Sequence, residues 1–506
     1  MSKYLLAHDL GTSSNKATLF KETGQIVASE IFTYKTYYLA GNCAEQNPLD
    51  WWTAVKGATK ALVAKINPAD VAAVSFSGQM QGCVCVDKSG EPLYNSLIWA
   101  DQRATSESDE LLSRLPLKEF YRITGHRMSA ANSIAKLMWI SRNIPEVYKK
   151  TYKVFNAKDF IIYKLTGKFL TEYTDASGTC GMDLIGHKWS EQIFDAAGLD
   201  INLMPDLYNS TDIAGYVSNE AAVECGLLKG TPVVCGGGDG VAAGVGAGCI
   251  NVNDTYCCMG TSAWVASTYS KPILDDKMTA YNFAHMISKD LYMPCGAMSA
   301  CGTSFDWFVD NFEDEERRLA KTIGVKVYDV LNIKVAKSPP GAKGLLFLPY
   351  LLGERSPRWN PNAKGAYIGI TVDHTKVDML RAVLEGISLN LSVILDMYKK
   401  EYPIQKITIV GGCADDTWSQ ICADIYNVKC NKINYDREAT SIGAAVAAGV
   451  GVGMFKDFSV VNKFIKVTKT YYPNRQNAEM YNKIKPVFDE AYHSLLRVYD
   501  QLANLK

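Results

Sequence analysis

Residues 4–20 read YLLAHDLGTSSNKATLF, and the reading of this stretch decides the fold. Tyr4 to Asp9 is a strand-like apolar run, Gly11-Thr12-Ser13-Ser14 a tight turn of small residues, and Ala17 to Phe20 a second strand. Lys21 to Gly24 turns again, and Gln25 to Glu30 follows as a further strand-like run. The pattern is an antiparallel hairpin, not a strand followed by a helix.

The design recurs. Thr231 to Cys235 reads as a strand, followed by the turn Gly236-Gly237-Gly238-Asp239-Gly240 and a small-residue stretch to Gly248. Thr255 to Met259 is another strand, ending in Gly260-Thr261-Ser262. Gly411-Gly412 closes the strand Lys406 to Val410; after it Trp418, Ile421, Cys422 and Ile425 recur at helical spacing, with Asp415 or Asp416 placed to cap the helix. Strand-like runs alternate with amphipathic stretches throughout, so the class is α/β. Similar turn chemistry early in each half predicts two related lobes, residues 1–249 and 250–506, each with a mixed sheet, meeting in a cleft.

Bulk composition agrees with two domains. At 506 residues the chain exceeds what a single core supports. Its 53 Lys and Arg balance 53 Asp and Glu, so no global field recruits nucleic acid or an anionic membrane. The start, Met1-Ser2-Lys3-Tyr4, carries no signal-peptide pattern, and no apolar stretch reaches the roughly 20 residues of a membrane span. The 14 cysteines are scattered without Cys-x-x-Cys pairs, and the 6 histidines lack ligand spacing. Reduced, buried thiols in a cytoplasmic protein are the expectation.

Asp9-Leu10-Gly11-Thr12-Ser13 ends a strand with a carboxylate and then offers unobstructed main-chain amides. Such amides cradle phosphate oxygens, and a carboxylate like Asp9 holds magnesium, through water. Gly260-Thr261-Ser262 repeats the signal. Neither fits Gly-x-x-x-x-Gly-Lys-Ser/Thr or Gly-x-Gly-x-x-Gly in strand–turn–helix context, which disfavours a P-loop or Rossmann site.

In combination and order, these segments resemble the actin-like ATPase fold, and more narrowly the FGGY carbohydrate kinase family, xylulokinase-like branch. The resemblance runs nearly end to end: Ser77-Gly78-Gln79-Met80-Gln81-Gly82, Trp99-Ala100-Asp101-Gln102-Arg103, Lys136-Leu137-Met138-Trp139, Ala157-Lys158-Asp159-Phe160 and Asp175-Ala176-Ser177-Gly178-Thr179 in the first half. In the second, Gly353-Glu354-Arg355-Ser356-Pro357 and Gly365-Ala366-Tyr367-Ile368-Gly369-Ile370, running on to Arg381 and Glu385, are similar to family segments. The resemblance implies two actin-like (ribonuclease H-like) lobes and ATP-dependent phosphorylation of a small sugar, D-xylulose first. It implies Asp239 as catalytic base and Asp9 as the magnesium carboxylate. Gly11, Thr12, Ser13, Gly260, Thr261 and Ser262 would hold the phosphates of ATP, and Gly411, Gly412 and Ala414 would flank the nucleoside. Gln79, Met80, Gln81, Trp99, Asp101, Arg103 and Asp239 would meet the sugar. No nucleic acid or membrane partner is expected, and a homodimer is left open.

Three residues depart from the family pattern. His8 precedes Asp9 where relatives carry a small or aliphatic residue, which puts the magnesium carboxylate in an altered electrostatic setting. Gln81 stands where xylulokinases have histidine, and Cys413 interrupts the usual Gly-Gly-Gly-Ala. Alternatives are a kinase for another ketose, a polyol or an aldonate (gluconate, ribulose or erythritol type), a silent sugar sensor, and a chaperone-type ATPase. Lys158 and Asp159 read equally well as a solvated pair at a helix start, Trp51 and Trp52 as core, and Arg355 and Glu385 as structural ion-pair or capping partners.

Overall fold

The computed structural model describes residues 3–413 and 415–505. They form two compact units. The first takes the chain up to Val252, then Thr268–Pro294 and Glu438–Lys466; the second takes Asn253–Ser267, Cys295–Arg437 and the chain from Val467. A single boundary near residue 250 was expected, but the chain crosses between the units repeatedly. The reason is physical: a late helix is needed to cover the first sheet.

In the first unit the opening hairpin is β1 (Tyr4–Leu10) and β2 (Ser14–Lys21), followed by β3 (Ile26–Thr33). Helix α1 (Pro48–Val63), capped by the Asn47 side chain, buries Trp51 and Trp52 and leads to β4 (Val71–Gly78). Further on come α2 (Ser133–Asn143), α3 (Ala157–Thr166), α4 (Tyr173–Gly178), β5 (Ile213–Tyr216), β6 (Pro232–Gly238) and α5 (Asp239–Gly246). The sheet order is β5-β6-β4-β1-β2-β3. β1 runs antiparallel to β2 and parallel to β4; β6 is parallel to β4, and β5 antiparallel to β6. Leu5, Leu6, Ala7 and His8 are all buried, the mark of a central strand covered on both faces. Gly236–Gly238, expected as a turn, are the last residues of β6. A side chain at Gly236 would collide with the Phe76 carbonyl (ideal Cβ 1.9 Å away), so the glycines serve close strand packing, and the helix begins at Asp239 itself.

The second sheet repeats the order and directions of these six strands within a sheet of seven. β7 (Thr255–Met259) and β8 (Ala263–Ser267) form its hairpin, and β9 (Tyr292–Met298) enters the unit at Cys295 and pairs with β8. After α6 (Gly302–Phe312) and α7 (Lys376–Glu401) come β10 (Lys406–Val410), α8 (Asp416–Tyr426) and β11 (Lys429–Ile433). β10 is parallel to both β7 and β11. Asp415 caps α8, its carboxylate accepting from the Trp418 amide at 2.9 Å. On α7, Arg381 and Glu385 make a buried ion pair at 2.6 Å that also engages Tyr481, a structural role.

The chain then returns to the first unit as α9 (Ala439–Gly451), before β12 (Val467–Tyr471) pairs antiparallel with β11 in the second. Helix α9 packs on β1, β4, β6 and α5. Glycines make the helix–helix approach close: a Cβ at Gly246 would lie 1.8 Å from the Ala439 carbonyl, and one at Gly443 2.1 Å from that of Ala242. Among the described residues no helix is long and apolar enough to cross a membrane.

Candidate active site

Adjacent residues of a strand face opposite sides of the sheet, and β1 uses both. The His8 ring packs toward α1, its nitrogens 3.2 Å from Asn15 Oδ1 and 3.3 Å from Thr59 Oγ1, and burial lowers its pKa to about 4. It is neutral, so the altered electrostatic setting expected for Asp9 does not arise from it. Asp9 faces α9. Its Oδ1 accepts from Ser77 Oγ at 2.7 Å and its Oδ2 from Thr440 Oγ1 at 2.8 Å. Ser77 lies beside Asp9 in the β1–β4 register, whereas Thr440 arrives on the late helix.

Asp239 is the first residue of α5, directly after β6. The preceding amide, Gly238 N–H, donates to Thr174 Oγ1 at 2.8 Å, and that hydroxyl donates to Glu172 Oε1 at 2.6 Å. Met80 lies under the same turn: a Cβ at Gly238 would sit 2.5 Å from its sulfur. Burial, then the charge of Asp9, pushes the Asp239 carboxyl up to about 7, against a hydrogen bond from Gly240 N–H. A group poised there takes and gives protons at neutral pH. If it is the base, kcat/KM should rise with pH through about 7 and then level off, because the ionised form is the active one. A pH–rate profile that stays flat across that range would contradict the assignment.

Two turns offer free amides. At Gly11–Ser13, Gly11 N–H donates to the Ser14 carbonyl, Tyr34 Oη donates to the Gly11 carbonyl, and the amides of Thr12 and Ser13 have no acceptor among the described residues. At Gly260–Ser262, Gly260 N–H donates to Ser262 O at 2.9 Å, and the amides of Thr261 and Ser262 likewise have no acceptor among the described residues. Cys301 and Gly302, at the start of α6, donate to the carbonyls of Thr261 and Gly260 and buttress this turn. That support escaped the sequence reading, although Gly302-Thr303-Ser304 is a third copy of the same tripeptide. Gly411, at φ +98°, is where β10 ends; a Cβ there would lie 2.5 Å from the Met259 carbonyl. Gly412 is exposed, and Ala414 lies outside the described residues.

The residues expected at the sugar separate into two sets. Trp99 is 40 % exposed and donates from its indole to Thr12 Oγ1 at 2.9 Å, leaving a face for a sugar ring. Gln79 is buried, its Nε2 donating to Gln46 Oε1 at 2.8 Å while its own Oε1 has no partner among the described residues. Gln46, which also reaches Thr12 O and Trp51, had no signal in the sequence. Gln81 adopts φ +61° and is half-buried. The Asp101 carboxylate is fully buried and engaged by Ala44 N–H at 2.6 Å and by Arg103, which also pairs with Glu45 at 2.8 Å and lies 4.9 Å from the Trp139 ring. The Asp101 carboxylate is thus held by protein groups, and the Arg103 guanidinium faces the two carboxylates of Asp101 and Glu45.

Lys158 and Asp159 are not a solvated pair. Lys158 is wholly buried, with its ammonium 2.9 Å from Asp159, 3.1 Å from Asp175 and 3.3 Å from Glu172. Asp159 closes a capping box with Asn156 at the start of α3. Burial raises the Asp175 carboxyl well above its ordinary range, against the charge of Lys158 and with Asp159 and Glu172 adding to the rise.

Matched against known families, residues 4–246 fit the FGGY family of carbohydrate kinases, N-terminal domain, and residues 255–452 its C-terminal domain. The chain is 31% identical to a gluconokinase of Bacillus licheniformis, covering 100% of this chain and 98% of that one. It is equally 31% identical to a xylulose kinase of Bacillus subtilis (strain 168), over 97% of both. The crystal structure of a ligand-bound xylulose kinase from Lactobacillus acidophilus superposes with a TM-score of 0.92 at 29% identity, covering 99% of this chain and 100% of that one. The chain belongs to the FGGY family of carbohydrate kinases. It is a sugar kinase with the two-lobe, actin-like fold.

Proposed function

We propose that this kinase transfers the terminal phosphate of ATP to a hydroxyl of D-xylulose, with Asp239 accepting the hydroxyl proton. The observation that carries the mechanism is the Asp239 carboxyl, poised at about 7 on a turn pinned by Thr174. Phosphoryl transfer asks little covalent chemistry of the protein; it asks for position and charge stabilisation. The free amides of Thr12, Ser13, Thr261 and Ser262 suit phosphate oxygens, and Gly411 and Gly412 leave room for a nucleoside. Asp9, a carboxylate already oriented by two hydroxyls and close enough to raise Asp239, fits the needs of Mg2+ held partly through water. When bound, that ion would supply neutralising charge to the phosphates.

A neutral sugar is favoured over an aldonate by the state of the neighbouring cations. Arg103 is paired with Asp101 and Glu45, and Lys136 donates to three main-chain carbonyls. Neither is left to neutralise a substrate carboxylate, and Asp9 and Asp239 would oppose one. ADP release measured across D-xylulose, D-ribulose, D-gluconate and erythritol tests the reading. D-xylulose is expected to be turned over fastest, and Gln81→His to raise that turnover, because histidine stands there in the xylulokinases. Good turnover of gluconate, with none of D-xylulose by either form, would replace the ketose by the aldonate.

A further inference from the structure

Helix α2 carries a lysine that the chemistry above does not use. Lys136 is completely buried, yet among the described residues it makes no ion pair. Its ammonium donates to the carbonyls of Gln81 at 2.8 Å, Ile98 at 2.7 Å and Ala131 at 2.6 Å. An ammonium has three hydrogens and no acceptor, so three carbonyls from three separate segments use it up. Two of those segments are the ones read as sugar-binding: Gln79–Gly82 after β4, and the residue immediately before Trp99. Gln81 sits in the left-handed region at φ +61°, a strained conformation for a non-glycine residue. An ion–dipole bond to its carbonyl offsets that strain.

We propose that Lys136 is a positioning residue for sugar recognition, its charge clamping the Gln81 and Trp99 segments in one arrangement. The proposal rests on the reading that these two segments hold the sugar. A neutral amine keeps only two hydrogens and gains a lone pair, so one of the three carbonyls must lose its donor when the proton leaves. Burial pushes the lysine down to about 7, with Asp101, Cys83 and Cys180 raising it and Arg103 lowering it. The clamp therefore loosens as pH rises through that value. Stability moves the other way. The unfolded chain binds the proton up to the ordinary lysine range near 10.4 while the folded chain has released it, so this group makes folding more favourable as pH rises. Sugar affinity falling while stability is gained is a pairing that a merely structural lysine would not give.

The test is calorimetric titration of full-length Asp239→Asn protein without ATP, so that no phosphate is transferred and the proposed base no longer titrates. The probe is D-xylulose, or D-gluconate if that is what the wild-type enzyme phosphorylates, with ADP titrated in parallel. Sugar affinity is expected to drop about tenfold between about pH 6 and about pH 9, either side of the lysine's own value, with ADP affinity unchanged. Constant sugar affinity over that range overturns the proposal. In the same background Lys136→Met is expected to weaken sugar binding on the order of ten- to a hundredfold and to remove its pH dependence. Equal weakening of ADP would mark general damage and count against a positioning role; should the variant not fold, the pH series decides alone. Trp99→Ala separates the two levels. If it leaves sugar affinity unchanged, the site reading itself fails; if it weakens the sugar while Lys136→Met does not, only this inference fails.

Discussion

Asp239→Asn is expected to lower kcat on the order of 10²–10⁴-fold while sugar and nucleotide still bind, the range a positioned general base contributes. Asparagine preserves the shape of the side chain and can still accept from Gly240 N–H, so a purely local structural role would survive the change. The stability readout adds a second sign. The folded carboxyl titrates at about 7, far above an unfolded aspartate near 3.9, so the folded state binds the extra proton between those values. Its contribution is present at low pH and is lost as pH rises through about 7. An asparagine there never ionises, and the variant should melt at or above the wild-type temperature at alkaline pH. A dead enzyme that is no less stable is the outcome expected of a site held under electrostatic strain. Retention of more than about a tenth of wild-type turnover, together with a lower melting temperature, would make Asp239 a structural residue.

Lys158→Met should be the most destabilising single change in the first unit, costing about 3–5 kcal/mol. The substitution leaves Asp159, Glu172 and Asp175 with no cation in a fully buried site. Glu172 is also the carboxylate that receives the Thr174 hydroxyl, and through it the amide before Asp239 is held. Urea denaturation would show the midpoint displaced, with the residual activity of the folded fraction reduced as well. A midpoint within about 0.5 kcal/mol of wild type, the range of an ordinary surface substitution, would contradict the burial described here.

The parts of this fold that were legible in the sequence are local. The hairpin around Gly11–Ser13, the strands Thr255–Met259 and Lys406–Val410, and the Asp415 cap follow from short-range pattern and turn chemistry, and the structure has them where they were expected. Gly236–Gly238 misled because glycine marks turns and close packing alike; only the neighbouring Phe76 carbonyl distinguishes them. The partners of the site carboxylates were out of reach for a different reason. Thr440 meets Asp9 across 431 positions of sequence and Thr174 meets Gly238 across 64, and a lone threonine advertises nothing. The contacts of Asp101 with Ala44 and of Arg103 with Glu45 were out of reach in the same way, because the spacing of the Trp99–Arg103 segment does not reveal a partner more than fifty residues earlier.

The return of α9 to the first unit has a consequence for how the protein is made. A ribosome delivers the strands of the first sheet early, but the helix covering β1, β4 and β6 begins only at Ala439. Residues 253–437, most of them destined for the second unit, must be synthesised in between. At roughly 5–20 residues per second this interval lasts on the order of ten to forty seconds. Throughout it the apolar face that α9 will bury stands open on the nascent chain, a long exposure by the standard of folding events that finish in milliseconds to seconds. The first unit therefore cannot mature as an early, self-contained product of translation. Asp9 receives its Thr440 hydroxyl only after those intervening residues have been made, so the arrangement proposed for Mg2+ is completed late.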